Sequence, residues 1–308
     1  MEIALQFVLL ALGFVMLGKG ADWFVEGAAG IAMRFGIPQL VIGLTIVAMG
    51  TSAPEAAVSI AAAVKGNADI TIGNILGSNI LNILVILGLA ASIVPIAVAR
   101  STVRIEIPFM IGVTALLFYQ GRDGSISLAD GGVLMVAFAV YMMYLYTMAM
   151  KSNVDSDLEE PGLPLGRCLL GAVGGLALII AGSNVTVGAA TSIATYAGLS
   201  ERFIGLTIVA LGTSLPELFT SVAAARRGNA DIAIGNIVGS NIFNILFVVG
   251  LSSLIIDIPF ASAFNFDTYV ALGAAVLLWL CVLRTQRLQR WAGALMLVCY
   301  AAYLGYIL

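Results

Sequence analysis

Two carboxylates, Glu55 and Glu217, lie inside long apolar runs, and each closes the same string, Gly-Thr-Ser-x-Pro-Glu, at 50–55 and again at 212–217. An ionisable group at membrane depth costs at least ~2.5 kcal/mol even on the gentlest scale, so it marks a functional site with a partner. No lysine or arginine sits at matching depth. The missing partner is most simply a cation. Thr51 and Ser52 precede Glu55 by four and three residues, so a helix puts all three on one face, and Thr213 and Ser214 stand in the same relation to Glu217. Pro54 and Pro216 each remove a backbone donor and displace the carbonyl one turn back, which predicts freed oxygens around Ala48 to Gly50 and Ala210 to Gly212. Such carbonyls persist in a bilayer only where they line a cavity or bind an ion. The next apolar run of each copy carries Asn74, Ser78 and Asn82, or Asn236, Ser240 and Asn244, at i, i+4, i+8 spacing, a polar stripe along one helix face. Together these segments offer hard oxygen ligands only, which suits Ca²⁺ or Na⁺ rather than a soft transition metal.

The elements that position these groups follow from composition. Of 308 residues, 61% are hydrophobic and 10% charged, against about 25% charged in a soluble domain. A spanning helix needs ~20 mostly apolar residues. The chain therefore reads as an all-α polytopic membrane protein. Punctuation by charge, Gly and Pro predicts ten transmembrane helices, near 3–30, 38–64, 71–94, 105–120, 127–150, 164–194, 200–225, 233–257, 268–284 and 291–308. The first run holds Lys19, Asp22 and Glu26 and starts from an acidic flank, so it reads as a permanent helix rather than a cleaved signal. One soluble stretch, 151–163, carries Asp155, Asp157, Glu159 and Glu160 and divides the chain into a first repeat, 1–150, and a second, 164–308.

Residues 43–88 and 205–250 align at a constant shift of 162, without gaps, with 32 identities in 46 positions. Alternate assignment of loops puts ten Lys or Arg on one side of the membrane and three on the other. The positive-inside rule then places the acidic linker in the cytoplasm and both termini outside, in the cell (inner) membrane. Five spans per half is an odd number, so the second half enters from the opposite face. The expected architecture is two inverted-topology repeats of five helices, an arrangement of secondary transporters. The repeated Gly-Asn-Ala-Asp-Ile at 66–70 and 228–232 reads as a turn and helix cap. Asp22 and Glu26 read as interfacial groups, since their repeat mates are Asn184 and Gly188.

The doubled Gly-Thr-Ser-x-Pro-Glu and Gly-Ser-Asn-Ile-x-Asn segments resemble the two alpha repeats of the sodium/calcium exchanger branch of the calcium/cation antiporter superfamily. The resemblance implies cation ligation by Glu55, Glu217, Thr51, Ser52, Thr213, Ser214, Ser78, Ser240, Asn82 and Asn244, with the Ala48 and Ala210 carbonyls. It also implies that the first and sixth helices lie slantwise outside a rigid core and slide to switch access, and that exchange is electrogenic. Potassium-dependent relatives carry aspartate where this chain has Asn244, which speaks against potassium co-transport.

The resulting expectation is an antiporter, not an enzyme, that moves Ca²⁺ out by letting Na⁺ in, with alternating access to one midplane site. Two buried carboxylates are neutralised by one Ca²⁺ or two Na⁺, and a buried charge excess is costly, so the two ions exclude each other. The alternative is a Ca²⁺/H⁺ or other cation/proton antiporter. Proton-coupled relatives usually hold a Gly-Asn-x-x-Glu segment, and here Gly73-Asn74 is followed by Ile75-Leu76-Gly77. A channel would need a continuous path rather than one occluded site. A hydrolase lacks any histidine to activate a nucleophile. With a net charge of -3 and no basic patch, nucleic acid is excluded. Cys168, Cys281 and Cys299 have no C-x-x-C spacing, so no disulfide framework, zinc or haem site is expected. No cofactor and no required protein partner are expected; the partners are the two ions and the lipid bilayer.

Overall fold

The computed structural model describes residues 2–66, 68–152, 164–198 and 210–307. Inside a bilayer each backbone N–H and C=O must be satisfied within its own segment, and the apolar runs accordingly fold as helices. In the first half these are α1 (Glu2–Arg34), α2 (Gln39–Thr51), α3 (Ala53–Val64), α4 (Ile70–Ile93), α5 (Thr102–Asp123) and α6 (Leu128–Ser152). The second half holds α7 (Leu165–Tyr196), α8 (Ala210–Thr213), α9 (Leu215–Arg226), α10 (Ala230–Ile255), α11 (Phe264–Leu283) and α12 (Arg290–Ile307).

Among the described residues, eight helices are long and apolar enough to cross a membrane, and the broken pair α2 and α3 makes a ninth. The chain is an all-helical, multi-pass membrane protein. The span expected at 200–225 begins outside the described residues and is seen from Ala210 onward. The expected linker, 151–163, also lies outside them, except that Lys151 and Ser152 finish α6. Helices α4 and α10 are mostly buried, whereas α1, α6 and α12 turn most of their surface outward.

Two details depart from an all-helical reading. Among the described residues there are four strands of two residues each: β1 (Ile96–Ala97), β2 (Ser125–Ile126), β3 (Ile258–Pro259) and β4 (Arg287–Leu288). They pair antiparallel across the halves, β1 with β4 and β2 with β3. Adding 162 to Ile96↔Leu288 and subtracting it on the partner side gives Ile258↔Ile126, the register of the other pair. Each half thus makes to the other the contact it receives. The turns at Gly66 and Gly228 are as expected, both left-handed at φ +79. No side-chain cap follows them, because Ala68 and Asn229 open the next helices without a side-chain hydrogen bond.

Helix α1 is 33 residues and α7 is 32, so each is about 50 Å long. That exceeds a hydrocarbon core of ~30 Å and obliges them to tilt. They pack on each other through small residues spaced seven apart, Gly13, Gly20 and Gly27 against Gly175 and Gly182. A Cβ at Gly27 would sit 2.4 Å from Ala172 N, and one at Gly175 would sit 2.5 Å from Phe24 N. The neighbours are backbone and cannot yield, so only glycine allows this approach. The pair is tied to the rest at Arg227, which follows α9 and reaches both Asp22 and Glu26 of α1 at 3.1 Å. Asp22 and Glu26 are therefore partnered, partly exposed groups away from the buried carboxylates.

Candidate cation site

The helix carrying Glu55 is interrupted just before it. Ser52 leaves helical geometry at φ -80, ψ 6, and Pro54 sits in the first turn of α3, where its missing N–H costs nothing. The axis bends there by 51° between α2 and α3. Ser214 does the same at φ -91, ψ 4 ahead of Pro216 and α9. Both glutamates are thereby held in the first turn of a helix, where the dipole and free N–H groups favour negative charge.

The two breaks face each other. Ser52 donates to Glu217 Oε1 at 2.7 Å, and Ser214 donates to Glu55 Oε1 at 3.2 Å. The Thr213 hydroxyl also approaches Glu55, as Thr51 approaches Glu217. Glu55 and Glu217 are each 1% exposed, and Thr51, Ser52 and Ser214 are buried around them, with Thr213 half-buried. The only ion pairs among the described residues are those of Arg227, so neither glutamate has a basic partner there.

The stripes on α4 and α10 divide on closer view. Asn74 and Asn236 clamp the helices that carry the glutamates: Asn74 donates to Ser59 Oγ at 2.9 Å and to the Glu55 carbonyl at 3.3 Å, and Asn236 to Ser221 Oγ at 2.9 Å and to the Glu217 carbonyl at 3.4 Å. Thr51 adds a bond of 2.9 Å to Asn236 Oδ1. Ser78, Asn82, Ser240 and Asn244 are buried along the same helices. Ser240 donates to the Ala48 carbonyl at 3.3 Å. That carbonyl is not the bare oxygen expected from Pro54, since the Ser52 N–H also bonds it at 3.0 Å. The break falls at Ser52 itself, and the N–H that Pro54 lacks is the one that would have bonded the Gly50 carbonyl. Ala210 opens α8 at the edge of the described residues.

A pair of residues outside the expected set joins the two halves. Asn79 Nδ2 donates to the Asn241 carbonyl at 3.2 Å, and Asn241 Nδ2 returns a bond of 3.1 Å to the Asn79 carbonyl. Their side-chain oxygens accept the amides of the next polar residues, Asn82 Nδ2 on Asn241 Oδ1 at 2.9 Å and Asn244 Nδ2 on Asn79 Oδ1 at 3.1 Å. With its amide anchored, each of Asn82 and Asn244 keeps its oxygen free. At those same two residues the helices widen into π turns, Asn82–Leu87 and Asn244–Val249, a geometry rare overall and concentrated at functional positions. The signal available was the asparagine of Gly-Ser-Asn, Asn79 and Asn241, duplicated in both copies but off the i, i+4, i+8 spacing.

Four buried acceptors from this constellation have no hydrogen-bond partner: Glu55 Oε2, Glu217 Oε2, Asn82 Oδ1 and Asn244 Oδ1. Buried polar atoms are rarely left unpaired. Two carboxylate and two amide oxygens, two from each half and all acceptors, are the chemistry of a hard-cation site.

The family model described as sodium/calcium exchanger protein matches residues 5–147 and 168–308. A sodium/calcium exchanger of Methanosarcina acetivorans is 32% identical over 350 residues, covering 98% of each chain. An inner membrane protein of Escherichia coli, strain K12, is 41% identical over 260 residues, covering 80% of this chain and 79% of its own. Among solved structures, the sodium-calcium exchanger NCX_Mj soaked with zero Na⁺ and Ca²⁺ superposes with a TM-score of 0.87 at 33% identity, over 99% of this chain and 100% of that one. The same exchanger soaked with 2.5 mM Na⁺ and 10 mM Sr²⁺ gives 0.86 at 34% identity, over 98% and 99%. With its doubled motif, its reciprocal cage and a family match along nearly its whole length, the chain belongs to the sodium/calcium exchanger family.

Proposed function

We propose that the protein is a secondary antiporter that lets Na⁺ into the cell and moves Ca²⁺ out, using the central oxygen cage as its single transport site. The observation that carries this reading is the set of four unpartnered buried oxygens, two of them on carboxylates. Ligands come from Glu55 and Glu217, from the hydroxyls of Thr51, Ser52, Thr213, Ser214, Ser78 and Ser240, from the side-chain oxygens of Asn82 and Asn244, and from the carbonyls of Ala48 and Ala210. One Ca²⁺ or two Na⁺ neutralises the two carboxylates, and a net charge in a buried site is costly, so occupancy by one ion displaces the other. No covalent bond is made or broken, and no cofactor takes part.

The chain forms ten transmembrane helices in two inverted repeats of five, 1–150 and 164–308, joined by the cytoplasmic stretch 151–163. Both termini lie outside the cytoplasm, in the inner membrane. The reciprocal strand registers and reciprocal serine-to-glutamate bonds support this arrangement, because each has its counterpart at a shift of 162. Access alternates as the tilted pair α1 and α7 shifts against the core containing α4 and α10.

The test is ⁴⁵Ca²⁺ uptake into proteoliposomes holding the purified protein. An outward Na⁺ gradient drives uptake, and an outward proton gradient of equal size does not. Uptake driven by protons alone would replace this reading with cation/proton exchange.

A further inference from the structure

A second buried carboxylate cluster lies apart from the central cage. Glu106 is fully buried in the opening turns of α5, where Thr102–Glu106 forms a π turn. Tyr144 of α6 donates its hydroxyl to Glu106 Oε1. Tyr141, one turn earlier on α6 and 3% exposed, lies close enough to interact electrostatically with the same carboxylate. Thr102, fully buried one turn before Glu106, turns its hydroxyl toward it without reaching hydrogen-bond geometry. Three atoms of this cluster have no partner: Glu106 Oε2, Tyr141 Oη and Thr102 Oγ1.

The chain contains its own control for this position. At a shift of 162, Glu106 becomes Thr268, whose hydroxyl is satisfied by the Phe264 carbonyl at 2.7 Å, and Thr102 becomes Phe264 itself. The same architecture is therefore built in the second half without a buried carboxylate. Glu106 is not a requirement of the fold, yet it places an acidic group in a water-excluded position, which is costly unless the charge is neutralised.

No basic side chain among the described residues does so. Arg100 and Arg104, on or beside the same turn, are exposed. Helix α6 brings Asp130 and Lys151 only near its ends, and α10 brings Asp231 in its first turn. Helix α11 faces this turn with Trp279, which donates to the Val103 carbonyl at 2.9 Å; its acidic residue, Asp267, lies in its own first turn, held by Tyr303 at 2.8 Å. Cys281 completes the titratable groups of that helix apart from Tyr269. What remains near Glu106 is a set of oxygens: beside the Tyr144 hydroxyl already bonded to Oε1 stand the hydroxyls of Tyr141, Thr102 and the half-buried Ser101, all able to accept. That set matches a single small positive charge.

We propose that Glu106, Tyr141 and Thr102 hold one monovalent cation, Na⁺ or a proton, at a site separate from the central cage. Tyr144 fixes the carboxylate by bonding Oε1, which leaves Oε2 to meet the cation. Divalent ions are disfavoured, because one carboxylate leaves half of their charge buried and uncompensated. The inference does not depend on the transport reading, since its readout is ligand-linked stability.

The experiment uses the full-length protein in detergent with Glu55→Gln and Glu217→Gln, so that the carboxylates of the central cage are gone. Its thermal unfolding midpoint is followed from low to high Na⁺ at constant ionic strength, and separately from pH 6 to pH 9, with and without Glu106→Gln. Bound Na⁺ predicts a midpoint that climbs by a few degrees from low to high Na⁺, and a flat response once Glu106 is Gln. A bound proton predicts no Na⁺ response, and a midpoint that falls with rising pH relative to the Gln variant, because stability held by a protonated buried acid is lost as the acid ionises. Parallel curves with a constant offset in both titrations would show that Glu106 is merely structural and overturn the proposal. Glu106→Thr, the residue already accepted in the second half, serves if the Gln variant does not fold. Tyr141→Phe, which keeps the carboxylate and its Tyr144 bond, should flatten the same response.

Discussion

Replacing Asn241 by alanine tests whether the paired asparagines orient the cage. The substitution removes the bond from Asn241 Nδ2 to the Asn79 carbonyl at 3.1 Å and the acceptor for Asn82 Nδ2 at 2.9 Å. Interhelical side-chain bonds in membranes average about 0.6 kcal/mol and reach ~2. A buried donor left without an acceptor costs roughly 1–3 kcal/mol. The combined loss is on the order of 2–5 kcal/mol, and at ~2–4 °C per kcal/mol the unfolding midpoint falls by at least several degrees. The larger effect is functional. Once its amide is released, Asn82 is free to rotate, and its oxygen no longer points reliably at the cation. Half-saturation for Ca²⁺ in proteoliposome exchange should rise about tenfold, equivalent to ~1.4 kcal/mol. Asn79→Ala should do the same through Asn244, whose amide rests on Asn79 Oδ1 at 3.1 Å. A folded Asn241→Ala protein with an unchanged midpoint and unchanged Ca²⁺ half-saturation would refute the positioning role.

Glu55→Gln and Glu217→Gln should each reduce Ca²⁺ exchange at least about thirtyfold, since removing one charge of a buried ion contact costs about 2–5 kcal/mol; gel-filtration elution should stay unchanged, and robust exchange in either would remove it from the site. Asn244→Asp adds a third carboxylate beside two others, and like charges in one site raise at least one pKa. Na⁺-driven ⁴⁵Ca²⁺ flux in that variant should therefore depend more steeply on pH between about 6 and 9 than in the parent, and superimposable profiles would place Asn244 outside the cage. Gly175→Ala brings a methyl to 2.5 Å from Phe24 N and 2.7 Å from the Gly20 carbonyl, so α1 and α7 must separate, at ~1–3 kcal/mol; a midpoint equal to that of the parent would mean the seam is looser than described. A cysteine at Asp157 should react with an impermeant thiol reagent only after the inner face is opened, and one at Ser125 from outside; the reverse pattern would invert the topology.

Hydropathy and length were enough to read most of the spans, because a membrane helix is specified by its own residues. The expected run 71–94 is seen as Ile70–Ile93, and 291–308 as Arg290–Ile307. The interruption before Glu55 was legible in part, since Pro54 has a local effect. Its position at Ser52 was not, because the Ala48 carbonyl recovers partners from Ser52 and from Ser240 on a distant helix. Duplication exposed the buried glutamates, whose cost in lipid needs no partner to be recognised. It did not reveal that Ser52 reaches the other half's glutamate, 165 residues away. The roles of Asn79 and Asn241, the π turns at Asn82 and Asn244, and the pairing of β1 with β4 all depend on contacts between halves. Local spacing carries no record of those.

The contact of Arg227 with Asp22 and Glu26 has no twin. At a shift of 162 its place is taken by Lys65 opposite Asn184 and Gly188, which offer no carboxylate. If the proposed access states arise by the halves exchanging conformations, two identical halves would make those states equally populated at rest. A bond present in one half only acts as a fixed weight on one pan of that balance. The pair is partly exposed, with side chains 36–48% accessible, so its worth is on the order of 1 kcal/mol or less. Even that turns an even population into roughly five to one, since ~1.4 kcal/mol is a factor of ten. The empty carrier then has a preferred side to wait on, set by three charged residues that never touch the ion.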